Sequence, residues 1–164
     1  MSPLPVDVYV AAGSNVEPEK NLRAALSALR SRYGNFRQSP AYRNRAVGFE
    51  GADFINLVVG FRTADTVESV LATLHEIEAS CGRARLAPKW APRSMDLDVL
   101  LYGDAVMQTS ALTVPRPDLL KRAYMLKPLA DIAPDLEHPT AHKTIGELWR
   151  TSGLDAHEMT EVEL

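Results

Sequence analysis

The chain has 164 residues, of which 46% are apolar and 24% are charged, and these values suit one globular domain spanning residues 1–164. Its net charge of −3 and pI of about 5.8 argue against general nucleic-acid binding, which favours a basic domain. A lone cysteine cannot form an internal disulfide, the first residues do not resemble a signal peptide, and no apolar stretch approaches the ~20 residues that span a bilayer. We therefore expect a soluble cytoplasmic protein, with a monomer favoured and without nucleic-acid or membrane partners.

The first two thirds of the chain alternates between strand and helix patterns. Segments rich in β-branched and apolar residues predict extended structure at 6–12, 36–47 (where it is irregular), 53–63 and 95–102. Pro18 and Gly34 suit the start and end of a first helix, and a second helix follows a capping box formed by Asp65 and Glu68 and ends at Gly82. The order strand, helix, strand, strand, helix, strand predicts an α+β fold, a ferredoxin-like βαββαβ antiparallel sheet with helices packed on one face.

The rest of the chain is predicted to be an irregular C-terminal extension. Residues 105–114 suit a short hairpin, and residues 118–128 suit a short helix that Pro128 limits. Residues 144–150 suit a last short helix. The polar and acidic end, residues 152–164, is expected to fray.

Asp96 and Asp98 are separated by one residue within an apolar strand. The two-residue period of a strand places both carboxylates on one face, roughly 7 Å apart, while Leu97, Val99 and Leu101 face the core. Neighbouring half-buried acids repel each other and lose hydration, and Mg²⁺ removes both costs because it prefers carboxylate oxygens as ligands. Two such acids can also share a pair of metal ions ~3.5–4 Å apart. The alternative interpretation is an exposed polar face on an edge strand.

Basic residues precede this acidic pair. Arg83, Arg85, Lys89 and Arg93 lie in a segment without a regular period. Basic residues beside paired acids suit a triphosphate, because the acids hold the metal ions and the guanidinium groups bind the remaining phosphate charge. Trp90, in the same segment, could stack on a planar base, cover the site when the loop closes, or simply anchor the loop on the surface. The four histidines show no metal-ligand spacing, and we interpret them as structural or exposed.

One run in this region resembles a known signature. Residues 89–101 read KWAPRSMDLDVLL and match the pattern of the 6-hydroxymethyl-7,8-dihydropterin pyrophosphokinases of folate biosynthesis. That pattern is a basic residue, any residue, Gly or Ala, a small residue or Pro, Arg, two residues, Asp, an aliphatic, Asp and two aliphatics. Shorter resemblances occur at 12–15, 54–56, 112–115 and 121–124, so the likeness extends over residues 8–139. The fold of that family agrees with the predicted order of elements.

The resemblance implies a reaction in which the hydroxymethyl oxygen of the pterin attacks the β-phosphorus of ATP, giving the pterin diphosphate and AMP. It implies that Asp96 and Asp98 hold two Mg²⁺ ions, that Arg83 and Arg93 act with them in catalysis, and that Trp90 lies on a mobile loop closing over the site. ATP would be the co-substrate, bound by seven side chains: Arg83, Arg85, Lys89, Trp90, Arg93, Arg116 and Arg122.

The resemblance also implies a pterin pocket. Phe54 and Tyr124 would sandwich the ring, and Asn56 would hydrogen-bond its edge. Further residues would line the same pocket: Gly13, Asn44, Val47 and Asp96. Phe54 and Asn56 share one face of their strand by the two-residue period, and an asparagine is unusual within an apolar strand, although Phe54 alone would equally suit a core position.

Three features depart from the family pattern. Arg116 stands where the family often has a histidine that touches ATP phosphate, and arginine binds phosphate but does not exchange a proton near neutral pH. Pro117 stands where some members carry an aromatic residue, and residues 44–46 lack the Thr-Pro-Pro type of sequence. Two alternatives therefore stay open: a paralogous two-metal nucleotidyl or phosphoryl transferase with another acceptor, and a non-catalytic ferredoxin-like binding module.

Overall fold

The computed structural model describes residues 4–34, 36–45, 52–81, 95–154 and 159–164. The strands are β1 (Val6–Ser14), β2 (Arg37–Gln38), β3 (Ala41–Asn44), β4 (Phe54–Thr63), β5 (Asp96–Tyr102), β6 (Met107–Gln108), β7 (Thr113–Val114) and β8 (Thr160–Val162). The α-helices are α1 (Pro18–Tyr33), α2 (Val67–Ser80), α3 (Ala123–Ile132) and α4 (Ile145–Thr151). Of the helices described, none combines the length and apolarity that crossing a membrane requires.

The main sheet is antiparallel, which confirms the predicted α+β class. Its hydrogen-bonded order is β5–β1–β4–β3–β8, and β2 also pairs with β4. β6 and β7 form a separate pair, which confirms the hairpin predicted within residues 105–114. The pairing of β1 with β4 extends from Val6 opposite Thr63 to Ser14 opposite Ile55. The predicted end of the first strand at residue 12 is wrong, because β4 and β5 continue alongside and both pair with Gly13.

Successive side chains along each strand point to opposite faces of the sheet, and helices cover both faces. One face, which includes Val10 and Leu57, packs against α1 and α2. The opposite face, which includes Tyr9 and Val58, packs against α3 and α4. The C-terminal part, predicted to be an irregular extension, therefore supplies a second helical layer that closes the other side of the sheet.

A β-bulge interrupts the regular alternation of β5. The pairing with β1 shifts between Tyr9, which lies opposite Leu101, and Val10, which lies opposite Val99. Leu100 is the additional residue, and both Leu100 and Leu101 are buried on the face that carries α3. The prediction that Leu101 shares the face of Val99 is therefore wrong, because a bulge adds one residue and reverses the faces beyond it.

The helix boundaries follow local signals, with one correction. α1 has Pro18 in its first turn and ends at Gly34, whose φ of 75° is favourable for glycine, as predicted. α2 is capped by Thr66, whose hydroxyl accepts from the backbone N–H three residues later at 3.1 Å. The predicted capping box of Asp65 and Glu68 is wrong, because the carboxylate of Asp65 instead pairs with an arginine of α1 at 2.5 Å.

The segment after the hairpin also differs from its prediction. A 3-10 turn (Pro117–Leu120) precedes α3, and α3 continues beyond Pro128 to Ile132. Pro128 cannot donate to the helix, but Pro128 and Leu129 are both buried, and this burial offsets the lost hydrogen bond. The predicted end of the helix at Pro128 is therefore wrong. The short helix predicted for residues 144–150 is confirmed by α4.

The end of the chain adds a strand to the sheet. β8 pairs with β3, with Val162 opposite Ala41 and Thr160 opposite Arg43. Val162 and Leu164 pack against the core under α1 and α2. The expectation of fraying is wrong for this strand, because β3 presents a row of backbone groups on the side that does not pair with β4.

His138 is a buried hydrogen-bond acceptor between α3 and α4. It is 2% exposed, and its Nδ1 accepts from the backbone N–H groups of Thr140 at 3.2 Å and Ala141 at 3.0 Å. Burial lowers the pKa of His138 from its ordinary value, and the nearby His142 lowers it further. The fold therefore requires the neutral imidazole, which agrees with the prediction of a structural histidine.

We expect His138 to make the protein less stable in mild acid. Because its folded-state pKa lies below the ordinary value of 6.5, the unfolded chain takes up the proton first. The stabilisation present above pH 6.5 is then lost as the pH falls through the folded-state pKa. The test is urea unfolding at a series of pH values for the wild type and for His138→Asn, whose side-chain oxygen accepts but does not titrate. The variant should show a shallower loss of stability, and equal slopes would contradict the assignment.

Candidate active site

A cleft of about 180 Å³ opens at one end of the sheet, on the face that carries α3. Its walls come from β1, β3, β4, β5, the first turn of α3 and the segment that leads into it. Eight of the residues predicted for the site line it: Gly13, Asn44, Phe54, Asn56, Asp96, Asp98, Arg116 and Tyr124. Three lining residues were not predicted: Ala11, Asp118 and Met125. The structure therefore brings together side chains that are far apart in the sequence.

Strand register places the polar residues in rows across the sheet. Gly13 of β1 lies opposite Asn56 of β4 on one side and opposite Asp96 of β5 on the other. In the next row, Ala11 lies opposite Asp98. Both carboxylates line the cleft, so they share a face as the two-residue period predicts. The small residues of β1 leave open space between the acids and the amide.

Close packing fixes the amide of Asn56. Its Nδ2 donates to Oδ1 of Asn44 at 2.5 Å, and Nδ2 of Asn44 donates to the carbonyl oxygen of Arg45 at 3.0 Å. A Cβ atom on Gly13 would clash with Oδ1 of Asn56, so a larger residue at this position requires the amide to shift. The orientation of the Asn56 amide is thus set by its hydrogen bond to Asn44 on one side and by close packing against the backbone of Gly13 on the other.

Two aromatic side chains line the same cleft from different elements. Phe54 begins β4, and Tyr124 lies in the first turn of α3. Burial raises the pKa of the Tyr124 phenol, with Arg122 acting in the opposite direction and Asp118 adding to the increase. The phenol therefore stays neutral at neutral pH and can serve as a hydrogen-bonding group or as an aromatic surface.

Arg116 lies between two carboxylates at the edge of the cleft. Its Nη1 is 3.6 Å from Oδ1 of Asp98, and its Nη2 is 4.0 Å from Oδ2 of Asp118. Its backbone N–H donates to the carbonyl oxygen of Leu100 in β5 at 3.0 Å, which anchors the residue to the strand that carries the acids. Two further surface clefts, formed around the β6–β7 hairpin, are also lined by Arg116. Arg116 therefore borders all three clefts.

Other predicted residues are not brought into this cleft. Arg122 occupies the N-cap position of α3 and is exposed, and it does not belong to the described residues that line the cleft. Several predictions fall outside the described residues: Val47, Gly82, Arg83, Arg85, Lys89, Trp90 and Arg93. The predicted loop closure by Trp90 belongs to this group and stays a prediction.

The comparisons with known proteins identify the family of the chain. Residues 9–134 match the family model described as 7,8-dihydro-6-hydroxymethylpterin-pyrophosphokinase (HPPK). The chain belongs to this family. It is similar to two proteins named 2-amino-4-hydroxy-6-hydroxymethyldihydropteridine pyrophosphokinase. The protein from Synechocystis sp. is 41% identical over 142 residues, which cover 85% of this chain and 72% of that protein. The protein from Aquifex aeolicus is 34% identical over 142 residues, which cover 85% of this chain and 88% of that protein. The family resemblance drawn from the sequence is thereby confirmed.

Solved structures of the HPPK-DHPS protein of Plasmodium falciparum share the fold at low sequence identity. The triple mutant with pteroate superposes with a TM-score of 0.72 at 13% identity, covering 98% of this chain and 47% of that chain. The wild type with SDX-DHP gives a TM-score of 0.68 at 13% identity, covering 89% of this chain and 44% of that chain. The chain thus spans under half the length of these proteins, and at this identity the likeness concerns the fold alone.

Sequence reasoning missed two acids around the HPPK-family motif. Asp118 follows Arg116 by two residues, and its charge beside a phosphate-binding candidate was the available signal. Glu78 lies four residues after Leu74 on the buried stripe of α2, a position where an apolar residue is expected. Its Oε2 accepts from the backbone N–H of Leu97, between the two aspartates, at 2.8 Å.

The chemistry of the acidic pair in this HPPK-family cleft suits Mg²⁺. Within the described ranges, no group of three or more His, Cys, Asp or Glu residues is arranged to hold a metal ion by itself. Asp96 and Asp98 are half-buried and line an open cleft, so they offer hard oxygen ligands while leaving other coordination positions accessible. Magnesium usually takes one or two carboxylates together with phosphate oxygens and water, and the residues present fit that pattern.

We expect Gly13→Ala to be destabilising only while Asn56 is present. The added methyl group would clash with Oδ1 of Asn56, whose amide is held by Asn44, and such overpacking typically costs about 1–3 kcal/mol. In the Asn56→Ala background the obstacle is gone, and the lower chain entropy of alanine makes the same change neutral or stabilising by about 0.5–1 kcal/mol. Urea unfolding of the two single variants and the double variant measures this coupling. Additive effects would show that Asn56 does not set the requirement for glycine.

Proposed function

We propose that the protein transfers the pyrophosphoryl group of ATP to 6-hydroxymethyl-7,8-dihydropterin, giving the pterin diphosphate and AMP for folate biosynthesis. One observation carries the proposal: in a chain of the pyrophosphokinase family, Asp96 and Asp98 line the same cleft as Asn56 and two aromatic side chains. A cleft that joins an acidic pair to an amide and aromatic surfaces suits a flat heterocycle beside a metal-bound phosphate.

The pterin is assigned to the end of the cleft near Gly13. Asn56 presents a fixed amide that can pair with the donor and acceptor edge of the pterin, and Asn44 holds that amide through its own side chain. Phe54 and Tyr124 supply aromatic surfaces for the ring. Asp96 lies in the same row of the sheet as Asn56, so the hydroxymethyl group of a bound pterin would be directed towards the acidic pair.

The nucleotide is assigned to the opposite side, near Asp98 and Arg116. Asp96 and Asp98 would hold Mg²⁺, two ions in this proposal, and bound magnesium would neutralise charge on the phosphate oxygens. Arg116 already stands beside Asp98 and can turn its guanidinium from a carboxylate to a phosphate. Further phosphate and nucleotide contacts are assigned to the residues that the signature supplies: Arg83, Arg85, Lys89, Trp90, Arg93 and Arg122.

The contribution of the chain to the reaction is positioning and charge balance. The pterin oxygen forms a bond to the β-phosphorus while the bond from that phosphorus to the oxygen of AMP breaks. Asn56 and the aromatic pair orient the acceptor, and the arginines bind the charge that moves onto the leaving AMP.

Several finer assignments belong to the same proposal. The strand order β5–β1–β4–β3, with α1 and α2 on one face, supports a ferredoxin-like classification of residues 6–102. One functional domain, a monomeric state and a cytoplasmic location are also proposed. Of the two alternatives, a paralogous transferase would give other products, and a non-catalytic binding module would give none.

The test of the function is incubation of the protein with 6-hydroxymethyl-7,8-dihydropterin, ATP and Mg²⁺, with both products identified. We expect the pterin diphosphate together with AMP. ADP or inorganic pyrophosphate as the nucleotide-side product would support the paralogous transferase. Absence of turnover and of magnesium-dependent ATP binding would support the binding module.

Asp98→Ala should lower turnover by about 10²–10³-fold or more, because it removes a metal ligand that binds the phosphates indirectly. The matched control is Asp104→Ala, an exposed acid just beyond β5, which should retain wild-type turnover. The measurement is the initial rate of AMP formation at saturating substrates, with circular dichroism to compare the folds. Retention of most activity by Asp98→Ala would refute the metal assignment.

Arg116→His should make ATP use depend on pH. At about pH 8 the imidazole is neutral and binds phosphate poorly, whereas at about pH 6 it is protonated and replaces the guanidinium charge. The expected result is a KM for ATP several-fold above wild type in mild alkali, with the difference shrinking in mild acid. The control is Arg150→His in α4, away from the cleft. A KM ratio that stays constant across this pH range would argue against phosphate binding by residue 116.

A further inference from the structure

Glu78 is a buried acid in the last turn of α2. It is 7% exposed, and its neighbours on the same stripe, Leu74 and Ile77, are apolar core residues. A carboxylate is unfavourable there for two reasons: burial removes its hydration, and the end of a helix already carries partial negative charge. A residue that is costly in both respects requires a compensating interaction.

One such interaction lies on the outer side of β5. Oε2 of Glu78 accepts a hydrogen bond from the backbone N–H of Leu97 at 2.8 Å. In the described part of the sheet, β5 is the terminal strand and pairs with β1 on one side. Backbone N–H groups alternate in direction along a strand, so the group of Leu97 that meets Glu78 points away from β1. The carboxylate accepts the hydrogen bond that a backbone carbonyl of a neighbouring strand would otherwise accept.

Leu97 is the residue between Asp96 and Asp98. Its side chain is 5% exposed and packs in the core under α1 and α2, while the two aspartates line the cleft on the opposite face. Its backbone is held by Glu78 and its side chain by the core, so the direction of both carboxylates follows from how firmly Leu97 is held. A small rotation of this one residue would change the spacing of both.

We propose that Glu78 is a positioning residue that fixes the spacing of the Asp96 and Asp98 carboxylates for Mg²⁺ through its hydrogen bond to Leu97. The inference rests on the proposed role of the two aspartates. Glu78 acts through the backbone of β5, so what matters is an acceptor atom at the right distance. Groups that orient metal ligands typically change metal affinity by about 10–100-fold when removed.

The test compares Glu78→Gln, which keeps an acceptor oxygen at the same distance, with Glu78→Met, which keeps the length but has no comparable acceptor. Three quantities are measured: amide hydrogen exchange at Leu97, the Mg²⁺ concentration for half-maximal activity, and the KM for the pterin. We expect Glu78→Met to speed exchange at Leu97 and to raise the Mg²⁺ requirement about tenfold or more, with little change in the KM for the pterin. Glu78→Gln should restore values close to wild type.

Two results would overturn the proposal. Faster exchange at Leu97 with an unchanged Mg²⁺ requirement would show that the hydrogen bond is only structural. Equal defects in Glu78→Gln and Glu78→Met would show that the charge of Glu78, and not its bond to Leu97, is what matters. If Glu78→Met does not fold, Glu78→Asp replaces it, because its carboxylate is one methylene short of Leu97 and should raise the Mg²⁺ requirement as well. An active Asp98→Ala variant would instead refute the underlying site, so the two failures are distinguishable.

Discussion

The pairing of β1 with β4 and β5 at the same residues is the constraint on which the site depends. Gly13 stands between Asn56 and Asp96, and Ala11 stands between Val58 and Asp98. These two small residues keep the space between the amide and the acidic pair clear, and backbone hydrogen bonds set the separation across the strands. The geometry of the site is therefore carried by the most buried strand of the sheet, where displacement is most costly.

Charge balance links the proposed binding of a triphosphate in this cleft to the binding of cations. Three carboxylates line its described part, from Asp96, Asp98 and Asp118, against the single guanidinium of Arg116. The pKa of the Tyr124 phenol is raised, so this group adds no further negative charge at neutral pH. An incoming polyphosphate would meet repulsion unless Mg²⁺ neutralised the acids. Arg116 lies between Asp98 and Asp118, and its guanidinium can pair either with these carboxylates or with a bound phosphate.

Local patterns in the sequence were sufficient to predict some features and not others. The period of two was enough to place Asp96 and Asp98 on one face, and likewise Phe54 and Asn56, because alternation needs no partner. The bulge at Leu100 depends on how β5 meets β1, so Leu101 was assigned to the wrong face. Long-range contacts were likewise inaccessible. β8 pairs with β3 from the other end of the chain, and Glu78 contacts the backbone of Leu97, which lies 19 residues later in the sequence.

The position of the acids on an edge strand has a structural consequence. An edge strand leaves half of its backbone groups without a neighbouring strand, and these groups must be satisfied or they invite association with other chains. In β5, Glu78 accepts from the N–H of Leu97, and the backbone N–H of Arg116 donates to the carbonyl oxygen of Leu100. These two contacts flank Asp98. The same bonds that complete the edge therefore hold the acidic pair in place and set Arg116 beside it, which a central strand with neighbours on both sides could not allow.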